Sequence, residues 1–156
     1  MAEIGFYHLT RSTAEQALPR LLGRTLDLGK RALVRCRDAA RAEALDEALW
    51  RAPDPVWLPH GTVTLGHADL QPIWIEGASG SMQDAPAAAA NGASFLFLLD
   101  GAEVVGGEAF ERIFDLFDGA DTDAVVAARG RWSRLKEAGH SLTYWKQEPQ
   151  GWQKAG

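Results

Sequence analysis

The chain has 156 residues, 46% of them apolar, and a formal net charge of −5. That length suits one domain with a core of its own and is too short to expect two. Net acidity argues against strong direct nucleic-acid binding, which needs many basic groups gathered on one surface. Apolar runs are far shorter than a membrane span, and MAEIGFYHLT at the start lacks the basic-then-apolar layout of a signal peptide, so a soluble, cytoplasmic chain with no membrane contact is expected. Cys36 is the only cysteine. It reads as a small core residue, and no internal disulfide or cysteine-based metal cage can form.

Residues 4–9 (IGFYHL) have the aromatic and β-branched content of a strand, and residues 13–28 place Ala17, Leu18, Leu21, Leu22 and Leu28 at helical spacing. Pro19 is expected to mark irregular first turns, and Gly29 to stop the helix. Residues 31–36 make a second strand, after which Asp38 can cap a periodic helix over 39–50. These connections are too long for hairpins, so the first two strands are expected parallel with a right-handed crossover. A turn-rich stretch then holds a short strand at 56–58, and another follows at 73–75.

Residues 77–94 are Gly/Ala/Ser-rich and uncharged apart from Asp84, which reads as a mobile loop in which PAAAA could form one helical turn. FLFLL at 95–99 is an unbroken apolar run, as for a central strand buried on both faces. A helix is expected over 107–118, with Phe110, Ile113, Phe114 and Phe117 on its apolar side. The last long helix covers 122–138 with Gly139 as its cap, and 142–146 is a closing strand. No internal repeat is visible. The sum is one α/β domain over 1–147 with a short tail at 148–156. Its sheet is mostly parallel with helices on both faces, Rossmann-like without a nucleotide-binding loop.

The turn after the first strand decides that last point. It reads HLTRSTAEQ, with neither G-x-G-x-x-G nor G-x-x-x-x-G-K-[ST], and Gly29-Lys30 precedes a strand rather than a helix. Gly106-Gly107 precedes an expected helix but is too common a pairing to carry phosphate binding. His60, His67 and Asp69 have no spacing that fixes a metal geometry. There is no nucleophile elbow and no standout carboxylate pair, so no catalytic residue, cofactor or metal is assigned. The alternative kept open is a small α/β nucleotide- or metal-binding enzyme using the C-terminal edge of the sheet.

Charge is segregated along the chain. Residues 52–111 contain no Lys or Arg and eight acids (Asp54, Asp69, Glu76, Asp84, Asp100, Glu103, Glu108 and Glu111), whereas residues 128–146 carry five basic side chains against one acid. A basic stretch around a large aromatic suits an acidic peptide end. On a wheel of the last helix Ala124, Ala128 and Leu135 mark the packed side, and Val125, Arg129, Ser133 and Lys136 form another stripe with Trp132 between the two. Arg131 and Arg134 are read as outward. Trp50 stands about a quarter turn from the buried stripe of its helix (Ala42, Leu45, Leu49), at about 100° per residue. Were the two helices neighbours, a Trp-lined notch rimmed by Arg129 and Lys136 would result.

FYHL near the start, GKRALVRCRDAARAEALDEALW running on to VWLPHG, and ARGRWSRLKEAGHSLTYW near the end together resemble the chi subunit of bacterial DNA polymerase III, part of the clamp-loader assembly. The resemblance covers most of the chain in order, and L-D-E-A-L-W followed by P-H is its most specific element. It implies a non-enzymatic adaptor that binds the acidic C-terminal tail of single-stranded-DNA-binding protein and also the psi subunit. Carried over, the tail pocket falls on Trp50, Arg129, Trp132, Ser133 and Lys136, with Arg129 as the carboxylate clamp. Trp132 replaces a tyrosine of the family, Ser133 a lysine, and Val125 or its neighbour stands where another lysine is usual. The psi-facing surface maps onto Trp57 and Phe117.

Overall fold

The computed structural model describes residues 3–51, 59–62, 67, 70–77, 91–101, 110–149 and 151–154. Its elements are β1 (Glu3–Leu9), α1 (Ala14–Asp27), β2 (Ala32–Cys36), α2 (Ala39–Arg51), β3 (His60–Thr62), β4 (Ile73–Gly77), β5 (Phe95–Leu98), β6 (Arg112–Asp118), α3 (Thr122–Glu137), β7 (Ser141–Glu148) and β8 (Gly151–Lys154). The strands form one sheet in the order β3-β4-β2-β5-β6-β1-β7-β8. All neighbours are parallel except the β7–β8 pair, so the fold is a mixed α/β arrangement of parallel and antiparallel strands. β1 and β2 run parallel, but β5 and β6 lie between them.

Alternation along each strand sends side chains to two separate cores. Tyr7, Val34, Phe97, Phe114 and Leu116 pack with Leu18, Leu22, Leu45 and Leu49 of α1 and α2. Ile4, Phe6, Leu33, Leu96, Ile113 and Phe117 pack with Ala128, Trp132 and Leu135 of α3 on the other face. β5 sits fourth in the order and is buried along its whole length, as its unbroken apolar run implies. Cys36 is buried, and desolvation pushes its thiol up to about 12.

The helix ends follow their local chemistry. Thr13 and Gln16 form a reciprocal capping box at the start of α1. The Asp38 carboxylate accepts from the Arg41 amide at 2.8 Å at the start of α2. α1 closes at Gly29, and Pro19 does not disturb its first turns: the helix is continuous through it, since one missing N–H near the start removes a single bond. α3 ends at Gly139, whose φ of 89° is easy only for glycine, with the His140 amide donating to the Leu135 carbonyl at 3.1 Å.

Two expectations are corrected. The segment expected as a helix over 107–118 contains β6. Phe110, Ile113, Phe114 and Phe117 do fall at helical spacing, but a strand buried on both faces has no polar face to break that coincidence, and β6 is such a strand, between β5 and β1. The segment read as a tail after 147 carries β8, which pairs with β7 in register Gln147↔Trp152. The strand expected at 56–58 and most of the 77–94 loop lie outside the described residues. At the end of that loop Asn91 is buried and donates to the carbonyls of Ala32 at 3.0 Å and Gln71 at 3.1 Å.

Candidate partner-binding site on the third helix

β1 and β7 lie side by side with Phe6 opposite Tyr144 and His8 opposite Lys146. α3 crosses above them, capped at its start by the Asp121 carboxylate on the amides of Asp123 and Ala124. Between helix and sheet lies a half-open recess of ≈ 390 Å³. Its floor is Phe6, His8, Phe117 and Tyr144, and Val125, Arg129, Trp132 and Ser133 form its helix wall. Trp132 is half-buried, as its place between two stripes implies, and meets Phe6 edge-on at 5.3 Å and Tyr144 edge-on at 6.1 Å between ring centroids.

The floor is rigid. The His8 ring stacks on Phe117 at 5.0 Å, and its Nδ1 makes a short hydrogen bond with the Tyr144 hydroxyl. Gly119, whose amide donates to the Leu9 carbonyl at 2.7 Å, leaves no space beside that ring: a Cβ there would lie 2.3 Å from His8 Nε2. Burial lowers the pKa of His8, and the positive charges of Lys146 and Arg129 lower it further. Burial raises the pKa of Tyr144, with Arg129 opposing. A recess of four aromatic rings and an imidazole, with Arg129 exposed at its rim, can hold an apolar or aromatic side chain beside a carboxylate.

Of the residues assigned from sequence, the structure brings Arg129, Trp132 and Ser133 together here. Lys136 is exposed one turn further along α3 and does not line the recess. Trp50 is elsewhere: α2 packs on the opposite face of the sheet, and the Trp50 ring, 57% exposed, lies against His60 at 4.3 Å. The notch between two Trp-bearing helices therefore does not form. His60 is buried and engages the Asp46 carboxylate at 3.1 Å rather than His67. Phe117, which the resemblance maps onto the psi-facing surface, is buried because it belongs to β6 and points toward α3. Trp57 lies outside the described residues.

Sequence reasoning missed His8, Tyr144 and Arg131. Arg131 is not outward: it is buried and bonds Asp115 through Nε at 2.7 Å and Nη2 at 2.9 Å. Its spacing, with Ala124, Ala128 and Leu135, is that of the packed stripe. Asp115 became its visible partner only once β6 is a strand, alternating with Ile113 and Phe117. His8 and Tyr144 were signalled by period two in strands read only for their apolar content.

The C-terminal edge of the parallel strands, where open α/β sheets commonly hold ligands, is also lined. Arg41 is paired there with Glu15 and, at 3.2 Å, with Asp100, and Asp118, Asp121 and Asp123 add acid. The turn after β1 points the amides of Thr10, Arg11 and Ser12 at one oxygen, Oε1 of Gln147, at 3.2, 2.9 and 3.1 Å. The Gln147 amide nitrogen donates back to Ser12 Oγ at 2.7 Å. The amides of this turn are thus satisfied by a side chain of β7. Among the described residues no helix is long and apolar enough to cross a membrane, and no group of His, Cys, Asp and Glu could hold a metal.

Residues 1–143 match the family described as DNA polymerase III chi subunit, HolC. DNA polymerase III subunit chi of Escherichia coli (strain K12) is 34% identical over 76 residues, which cover 47% of this chain and 52% of that protein. The chain thus spans about half the length of the curated relative it matches. With 143 of its 156 residues inside the family match, the chain belongs to the DNA polymerase III chi subunit family.

Proposed function

We propose that this chain is a non-enzymatic, cytoplasmic adaptor in the DNA polymerase III clamp-loader complex, with the α3 recess receiving the acidic C-terminal tail of single-stranded-DNA-binding protein. The observation that carries this reading is the recess itself: aromatic on three sides, with Arg129 at its rim and no acid among its lining residues. The terminal Phe of such a tail would enter beside Trp132, and its carboxylate would meet Arg129. Lys136 lies further along the same helix and would act on the acidic stretch preceding that Phe. The turn after β1 supports the adaptor reading in one respect: its amides are already taken up by Gln147.

A psi-like subunit is assigned to the other side of the molecule. Trp50 is the largest exposed apolar side chain described, it leans on His60 next to the segment holding Trp57, and it is far from the recess; it therefore moves in this reading from the tail pocket to the psi-facing surface. Phe117 moves the other way, into the floor of the recess.

A peptide copying the last ten or so residues of the host single-stranded-DNA-binding protein, titrated while Trp fluorescence is followed, tests the assignment. Saturable binding is expected for the natural chain and none for Arg129→Glu, which places a carboxylate where a carboxylate must dock. Equal affinity of the two proteins would remove the recess from consideration.

A further inference from the structure

The resemblance implies lysines at Ser133 and at Val125 or its neighbour, where this chain has none, yet the basic character of the recess is not confined to α3. Lys146 stands on β7 directly across from His8 and two residues beyond Tyr144, so it projects from the same face of the sheet as both. It is exposed, and its charge reaches the His8 ring. Arg129 reaches the same ring from α3 above. Of the other charges near β1, Asp115 is paired with Arg131, the Asp118 carboxylate accepts from the Ala120 amide at 2.9 Å, and Glu148 follows Lys146 by two residues on β7. From β6 only the neutral Phe117 ring meets His8, and from β7 only the Tyr144 hydroxyl and Lys146. Among the described residues, the charges that bear on the imidazole are thus two cations from separate elements.

We propose that Lys146 and His8 complete, with Arg129, the anion-holding set of the α3 recess, and that His8 takes up a proton when a peptide carboxylate docks there. This rests on the recess being the tail site. It assigns the missing cationic partner to β7 rather than to α3. An incoming carboxylate offsets the two cations that disfavour the imidazolium, acting by its charge, since one ring nitrogen already bonds Tyr144 and the other faces Gly119. In the unoccupied protein the His8 pKa lies below its ordinary 6.5, and occupation raises it. The complex therefore binds more protons than the separate partners, and affinity grows as pH falls from neutral through the interval between the two values.

Calorimetric titration of the same acidic tail peptide near pH 6, in two buffers of different ionisation enthalpy, measures the proton directly. Net uptake is expected for the natural chain and its loss for His8→Gln. Lys146→Gln, a change at an exposed position that does not endanger folding, is expected to weaken binding about threefold and to flatten its salt dependence. Lys154→Gln, the same charge change on neighbouring β8, serves as control and should leave affinity unaltered. Peptide binding that Arg129→Glu abolishes but Lys146→Gln leaves unchanged, or that proceeds without proton uptake, overturns this inference and keeps the tail site. Absence of any binding by the natural chain overturns both.

Discussion

Arg131 and Trp132 are neighbours on α3 with opposite duties. Trp132 presents an edge to the recess, while the Arg131 guanidinium is buried and held in two hydrogen bonds by Asp115, which ties α3 to the centre of the sheet. A buried pair of this kind is strongly destabilised when one partner goes, because the other charge is left in a dry environment. Asp115→Ala is expected to cost about 3–5 kcal/mol in urea denaturation. Replacing both partners by apolar residues, as Asp115→Leu with Arg131→Met, should recover most of it. At this scale the sequence is legible where a side chain's placement follows from its type and spacing, as for the exposed Arg129 and the half-buried Trp132. It is illegible where the role depends on a partner in another element. Arg131 carries the spacing of a packed position and the charge of a surface one, and only Asp115 decides between them.

Among the elements, α1, α2, α3 and the strands through Ala32, Ile73 and Phe95 stand where periodicity and caps place them. β6 does not, because Phe114 and Leu116 face one core while Ile113 and Phe117 face the other, so the period-two signal cancels and a helical one appears by coincidence. β8 is missed for a different reason: it is short and polar, and its register comes from β7 rather than from a pattern of its own. The turn between β1 and α1 gains its shape the same way, from Gln147 at the far end of the chain. Gln147→Ala would leave the amides of Thr10, Arg11 and Ser12 to water. About 1–2 kcal/mol of lost stability is expected, together with faster hydrogen exchange at those three positions than at the α1 interior.

The molecule as a whole presents two unlike surfaces on opposite sides of one sheet. The α3 side holds an aromatic recess with cations at its edge, and the α2–β3 end exposes Trp50 beside His60 and the Asp46 carboxylate. Sites this far apart with no shared side chain should act independently. Trp50→Ala is therefore expected to leave affinity for the acidic tail within about twofold of the natural value while weakening capture of a psi-like partner, as a titration of each would show. Sequence reasoning joined Trp50 to Trp132 because both sit at the margins of amphipathic helices. Which face of the sheet a helix covers depends on its crossover, and a wheel drawn for one helix carries no such information. The Gln147 contact has a consequence at this scale too. Any anion seeking the socket after β1 competes with a ligand already tethered to it, present at an effective concentration on the order of millimolar or more. A cellular phosphate ester would have to displace a group that never diffuses away, so the amides of this turn are spent on joining the end of β1 to β7.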